Sequence, residues 1–198
     1  MTGSSSLQDF PLTRTQRWAN ALTVVVALFG LGIGFLMKDQ IISATVPFRD
    51  LAAGILARYP QGWLLDTAGD YVFRVRDPES PRFLTTLQVQ VIAIGQDAAA
   101  RNILDDLTLQ RAQTLAAYRI LRAIPDTLPD GDPTTRVEYV YVATETNPFL
   151  EPVPVVVYGV DMVTLKRGQA VIVTFRVEAE RFEDEAWRLE QFLASLEF

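Results

Sequence analysis

Between Trp18 and Met37 the chain carries no charged side chain: WANALTVVVALFGLGIGFLM, 20 residues. At ~1.5 Å of rise per residue, a helix of that length spans about 30 Å, the hydrocarbon thickness of a bilayer. Only Asn20 and Thr23 are polar, and Asn20 lies close enough to one end for headgroups to hydrate it. A helix buried in a soluble core usually shows a polar stripe over such a length, and this run shows none. It therefore predicts a transmembrane helix over 18–37. Arg17 and Lys38 bracket the run as headgroup-level cations, and Trp18 is its interfacial aromatic, so these three are the expected anchors.

Residues 1–17 then form a short N-terminal tail. The apolar stretch is longer than a secretory h-region, and Lys-Asp-Gln rather than a small-x-small pattern follows Met37, so an uncleaved signal anchor is expected. Arg14 and Arg17 precede the span while Lys38 and Arg49 follow it, which leaves the positive-inside tally level. The tightly placed N-terminal cations and the short tail tilt the reading. They point to a cytoplasmic N-terminus and a C-terminal domain on the extracytoplasmic side of the cell membrane. Gly30 and Gly34 sit at small-xxx-small spacing, and Ala27, Thr23 and Ala19 extend the small face. Such a face lets a second helix approach closely, although glycine is also common in unpaired membrane helices. Ala27, Gly30 and Gly34 are the candidate helix-packing residues.

Residues 38–58 read as an amphipathic linker. Ile41, Ile42, Val46, Phe48, Leu51, Ile55 and Leu56 fall largely on one helical side. Such a helix lies at the membrane interface, against a partner, or on the domain's own surface. From residue 59 the texture changes to short apolar runs between turn residues, and 59–198 reads as one extramembrane domain. Strands are expected at 63–66, 71–75 and 83–94. After Gly95, with Asp97 as N-cap, a helix should carry Ile103, Leu104, Leu107 and Leu115 to a core. Paired strands follow at 118–124 and 136–143. A hairpin of 153–165 and 170–177 closes through Lys166-Arg167-Gly168-Gln169, with Gly168 in a left-handed position. The last element is a helix over 182–196, with Phe182, Ala186, Leu189, Leu193 and Leu196 on its apolar face.

Several of these strands are apolar on both faces: Val155, Val157 and Val163 alternate with Val156, Tyr158, Val160 and Met162. A sheet greasy on both sides needs a cover on both sides. The fold class expected is α+β, a transmembrane helix followed by an α/β/α sandwich on one antiparallel sheet.

The chemistry available is narrow. The chain has no Cys and no His, so thiolate, disulfide, iron–sulfur and imidazole chemistry cannot be built from it. A net charge of −6 argues against a nucleic-acid partner. Asp126, Asp130 and Asp132 share one loop, but their spacing departs from the Asp-x-Asp-x-Asp-Gly calcium pattern, and turn chemistry accounts for them. Asp105 and Asp106 are adjacent on a helix and point apart. No catalytic residue, no cofactor-binding residue and no metal ligand is therefore assigned. The proline-stiffened loop around Phe149 and Leu150 either holds these two side chains out as a docking knob or folds back over the sheet edge.

The order of features resembles the Mog1/PsbP-like superfamily. The residues that carry the likeness are Tyr59-Pro60-Gln-Gly62-Trp63 at the domain start and the long strand ending near Ile94 before a helix. Tyr139 and Tyr141 in a broad hairpin and the closing Phe192-Leu-Ala-Ser-Leu196-Glu-Phe198 complete them. The resemblance covers 59–198 and implies a mostly non-enzymatic docking or assembly module. Members include accessory subunits of photosystems and related bioenergetic complexes, small-GTPase-binding proteins and bacterial envelope proteins. For some photosystem relatives the resemblance implies metal held through histidine and carboxylate, and this chain has no His to supply such a ligand.

The expected function is a non-catalytic, single-span accessory or assembly subunit of a bacterial respiratory or photosynthetic electron-transport complex. It would meet the other subunits through its helix and its outer domain. Residues 59–198 carry a net charge of −8, which would steer a basic partner protein towards them. The alternative is a free membrane-tethered envelope protein that binds a lipid or small ligand.

Overall fold

In a computed structural model, residues 14–95, 100–144 and 153–198 are described, except for the side chains of 16, 17, 21 and 35–42. The chain divides into two compact units, one ending at Ala44 and one running from Thr45 to Phe198.

The first unit holds helix α1, Arg14–Ile42, unbroken through Gly30, Gly32 and Gly34. The Thr23 hydroxyl folds back to donate to the Ala19 carbonyl at 2.9 Å, so this polar group is satisfied within the helix. Trp18, Leu22, Val24, Val25, Val26, Leu28, Phe29, Leu31 and Ile33 are all exposed. The span expected over 18–37 is not supported by the described residues, among which no helix is long and apolar enough to cross a membrane.

The second unit begins earlier than residue 59. The stretch expected as an amphipathic linker is instead the end of α1 followed by an antiparallel hairpin, β1 (Thr45–Asp50) and β2 (Ile55–Pro60). The physical reason is a competing period. Ile55, Ala57 and Tyr59 alternate, as do Val46 and Phe48, and the period-two set is the one that reaches the core. Asp50 Oδ1 accepts from the amides of Ala52 and Ala53 at 2.8 and 3.0 Å and closes the turn. Leu56 and Glu197 exchange backbone hydrogen bonds of 3.0 and 2.8 Å, and the Arg58 amide donates to Ser195 Oγ at 3.0 Å. The hairpin is thus tied to the C-terminus.

The main sheet has seven strands in the order β3-β4-β5-β9-β8-β7-β6, all antiparallel. They are β3 Leu64–Asp66, β4 Phe73–Arg76, β5 Thr86–Ala93, β6 Ala116–Thr127, β7 Pro133–Thr144, β8 Pro154–Lys166 and β9 Gln169–Glu178. Each strand expected from sequence is present with shifted ends. The β8–β9 hairpin turns through Arg167 and Gly168, at φ of 52° and 76°. Helix α2 runs over Ala100–Thr114, and Asp97 lies outside the described residues. A 3-10 turn, Ala179–Arg181, leads into helix α3, Phe182–Leu193.

Both sheet faces are covered. On one, Leu189, Phe192, Leu193 and Leu196 join Phe73, Val75, Leu87, Val89, Val160, Met162, Val173 and Phe175, with the β1–β2 hairpin sharing the layer. On the other, Ile103 of α2 packs with Val163, Ala170 and Ile172, while Phe83, Tyr139, Tyr141, Val155 and Val157 form a neighbouring cluster. Burial of each such side chain contributes roughly 1.5–3 kcal/mol, so both faces need their cover. The three-layer arrangement follows.

Candidate functional site

The α2-covered face carries one polar cluster, although more of the ion pairs lie on the α3 side, where Arg136, Arg181 and Arg188 pair with Glu138, Glu185 and Asp77. In the last turn of α2, Arg111 points onto the sheet, where Asp161 of β8 and Thr174 of β9 are register partners. Arg111 Nη2 donates to Asp161 Oδ1 at 2.9 Å and to Thr174 Oγ1 at 3.2 Å, and the Thr174 hydroxyl donates to the same carboxylate at 2.8 Å. The guanidinium also lies 4.6 Å over the Tyr139 ring. Desolvation lowers the Arg111 pKa, and burial raises those of Tyr139 and Tyr141, so both phenols are held neutral. This cluster fastens α2 to the sheet.

Next to it, β4 and β9 turn further arginines onto the same face. Arg74 bonds Asp66 at 2.6 Å, and Tyr71 donates to the same carboxylate at 2.7 Å. Hydrogen bonds from Tyr71, Ala68 and Arg74 hold the Asp66 carboxyl well below its usual range. Arg76, Thr86 and Arg176 occupy one register row across β4, β5 and β9. Arg176 donates to Gln88 at 3.3 Å. Along β5, a groove of about 360 Å³ opens between sheet and α2, lined by Gln90, Ile92, Asn102, Asp106, Leu107 and Gln110 among others.

The α3 side carries a different cluster. Glu138, only 2% exposed, accepts from Arg122 at 2.6 and 2.7 Å, from Arg136 at 2.8 Å and from the Tyr158 hydroxyl. Every lone pair of the carboxylate is engaged, which marks it as structural.

The residues singled out from sequence do not converge on one place. Trp18 and Ala27 are exposed on α1, and a β-carbon at Gly30 or Gly34 would meet nothing within 4 Å. The side chains of Arg17 and Lys38, and the whole of Phe149 and Leu150, lie outside the described residues. Asp126 and Asp130 accept from the amides of Thr127 and Asp132, while Asp132 pairs with Lys166, so the three carboxylates serve their turn. Asp105 and Asp106 are both exposed, and Asp106 lines the groove. The arginines of the α2 face belong to none of the motifs singled out from sequence. Their signal was the alternation Arg74-Val-Arg76 and Thr174-Phe-Arg176, which places polar groups on one sheet face.

No family model matches the chain, and no curated protein does. Among solved structures it is similar to the cyanobacterial PsbP protein CyanoP from Synechocystis sp. PCC 6803. The TM-score is 0.57 at 16% identity, over 79% of this chain and 93% of that one. A Bacteroides thetaiotaomicron protein matches at TM-score 0.49 and 14% identity, over 76% of this chain and 47% of its own. A Pseudomonas aeruginosa protein of unknown function, described as a putative regulator, matches at 0.44 and 12%, over 73% and 92%. The CyanoP likeness shows a PsbP-like α+β fold, mostly antiparallel sheet with helices, as the resemblance in sequence implied.

Proposed function

We propose that the protein is a non-catalytic accessory or assembly subunit of a bacterial electron-transport complex, respiratory or photosynthetic. The likeness to CyanoP carries this reading, because the corresponding resemblance implies docking and assembly modules rather than enzymes. In this proposal α1 is the attachment element. The 20-residue uncharged run lies within a single helix, and its described apolar side chains are exposed rather than packed. Arg17, Trp18 and Lys38 would anchor it at the headgroups, and Ala27, Gly30 and Gly34 would pack against a partner helix. The N-terminus would be cytoplasmic and the second unit extracytoplasmic, with Phe149 and Leu150 available for docking. Purification in mild detergent tests the reading. Co-elution at fixed stoichiometry with a multi-subunit complex is the expected outcome, and a monodisperse protein free of other subunits would overturn it.

A second reading, a tethered protein that binds a small ligand, is favoured by the groove beside α2. It predicts a co-purifying small molecule in place of the complex.

A further inference from the structure

We infer that Arg76 and Arg176 form a binding site for a small carboxylate ligand. The two residues lie in one register row, on the α2 face, with only Thr86 between them. Neighbouring strands are ~4.8 Å apart, so β4 and β9 lie about 10 Å apart and two guanidinium groups can flank one small anion. The Thr86 hydroxyl donates to the Leu84 carbonyl at 2.7 Å, so the two arginines are the donors this row offers an anion.

Charge accounting sets this pair apart. The other arginines of the face have carboxylates: Arg74 has Asp66, Arg111 has Asp161 and Arg82 has Glu178. Arg76 and Arg176 have none within ion-pair distance among the described residues, and the Nε of each is buried without a hydrogen-bond partner. The second unit has 15 basic against 22 acidic residues, so two adjacent unpaired cations are the reverse of what its composition favours. Their mutual and Arg111-directed repulsion is a cost that a bound anion removes.

The chemistry fits a carboxylate. Two acids on this face are each held by one arginine and one hydroxyl donor, Asp161 by Arg111 and Thr174 and Asp66 by Arg74 and Tyr71, while Glu178 is held by Arg82. Beside Arg176, Gln88 Oε1 accepts from the guanidinium, and its amide nitrogen remains to donate to a ligand. The unit's net negative charge disfavours a long acidic polypeptide over a compact anion.

Titration calorimetry of the full chain in mild detergent at low salt, with succinate as probe, tests the site. Saturable one-to-one binding is expected, weakened at least tenfold by Arg76→Gln and by Arg176→Gln, less by Arg76→Lys, and unchanged by Arg119→Gln on the sheet's far edge. If Arg176→Gln loses native circular dichroism, the two Arg76 variants decide. Absence of saturable succinate binding, binding indifferent to Arg76→Gln, or saturation by inorganic phosphate or a glutamate-rich hexapeptide but not succinate would each overturn the proposal. None of these results bears on co-elution with a complex.

Discussion

The ring of Tyr139 lies directly on the backbone of Gly159, its register partner across β7 and β8, so that a β-carbon at position 159 would come within 2.2–2.6 Å of the ring edge and its hydroxyl. Glycine is required there by close approach, since the Tyr139 ring is fully buried and has nowhere to go. Gly159→Ala should therefore destabilise the protein by about 2–3 kcal/mol through overpacking, read as a lowered urea midpoint. Tyr139→Phe is the contrasting variant. The hydroxyl is buried without a hydrogen-bond partner, so its removal should not lower the urea midpoint and should raise stability by up to about 1 kcal/mol.

Arg111 and Asp161 should behave as a coupled pair. Asp161 is 2% exposed, and removing either partner leaves the other's charge uncompensated. Asp161→Ala and Arg111→Met should each cost roughly 3–5 kcal/mol. The double variant Arg111→Met/Asp161→Val should recover more than half of either loss. A double-mutant cycle in urea measures the coupling, and additive losses would contradict it.

These pairings explain what could and could not be read from sequence. The β8–β9 hairpin was legible because local features agree: Gly168 suits a left-handed turn, and Val157 and Val163 alternate with Val160 and Met162 around it. The first hairpin was misplaced. Its apolar residues satisfy both a helical and a period-two pattern, and the choice is made by Leu56 and Arg58 bonding to Glu197 and Ser195, far along the chain. The same reasoning covers the arginines. That Arg74 has a carboxylate and Arg76 has none depends on the register of three strands and on Tyr71 and Asp66 meeting beside β4, which no local pattern encodes.

Glu138 gives stability a defined pH dependence. Burial alone would raise its pKa, but hydrogen bonds from Arg122, Tyr158 and Arg136 outweigh that and lower it to about 2 from 4.5. A carboxyl with a depressed folded pKa contributes stability that is complete above pH 4.5 and lost as pH falls towards 2. Because Arg122 is exposed to screening ions, the loss should be about 1–2 kcal/mol. Tyr158 is the mirror case: burial and Glu138 push its pKa up to about 12, so its contribution holds below pH 10 and disappears as pH rises through 12. Urea midpoints at pH 6 and pH 3 check the acid limb. Glu138→Gln should be less stable at pH 6, and its midpoint should fall less than wild type's on acidification.

On the proposed function, the small-residue face of α1 would separate attachment from folding. Nothing within 4 Å would oppose a β-carbon at Gly30 or Gly34, and the second unit has its own core in residues 45–198. Gly30→Leu and Gly34→Leu should therefore leave the thermal midpoint of the second unit within about 1 °C, because no contact of that core is touched. In a membrane, the same bulk holds a partner helix away and removes the close packing that small residues permit. Single variants should lower co-elution with the complex severalfold, and the double variant should lower it about tenfold or more. Measuring both quantities on the same preparation distinguishes a lost helix contact from a destabilised protein. Undiminished co-elution of the double variant would show that the glycine face of α1 packs against no partner.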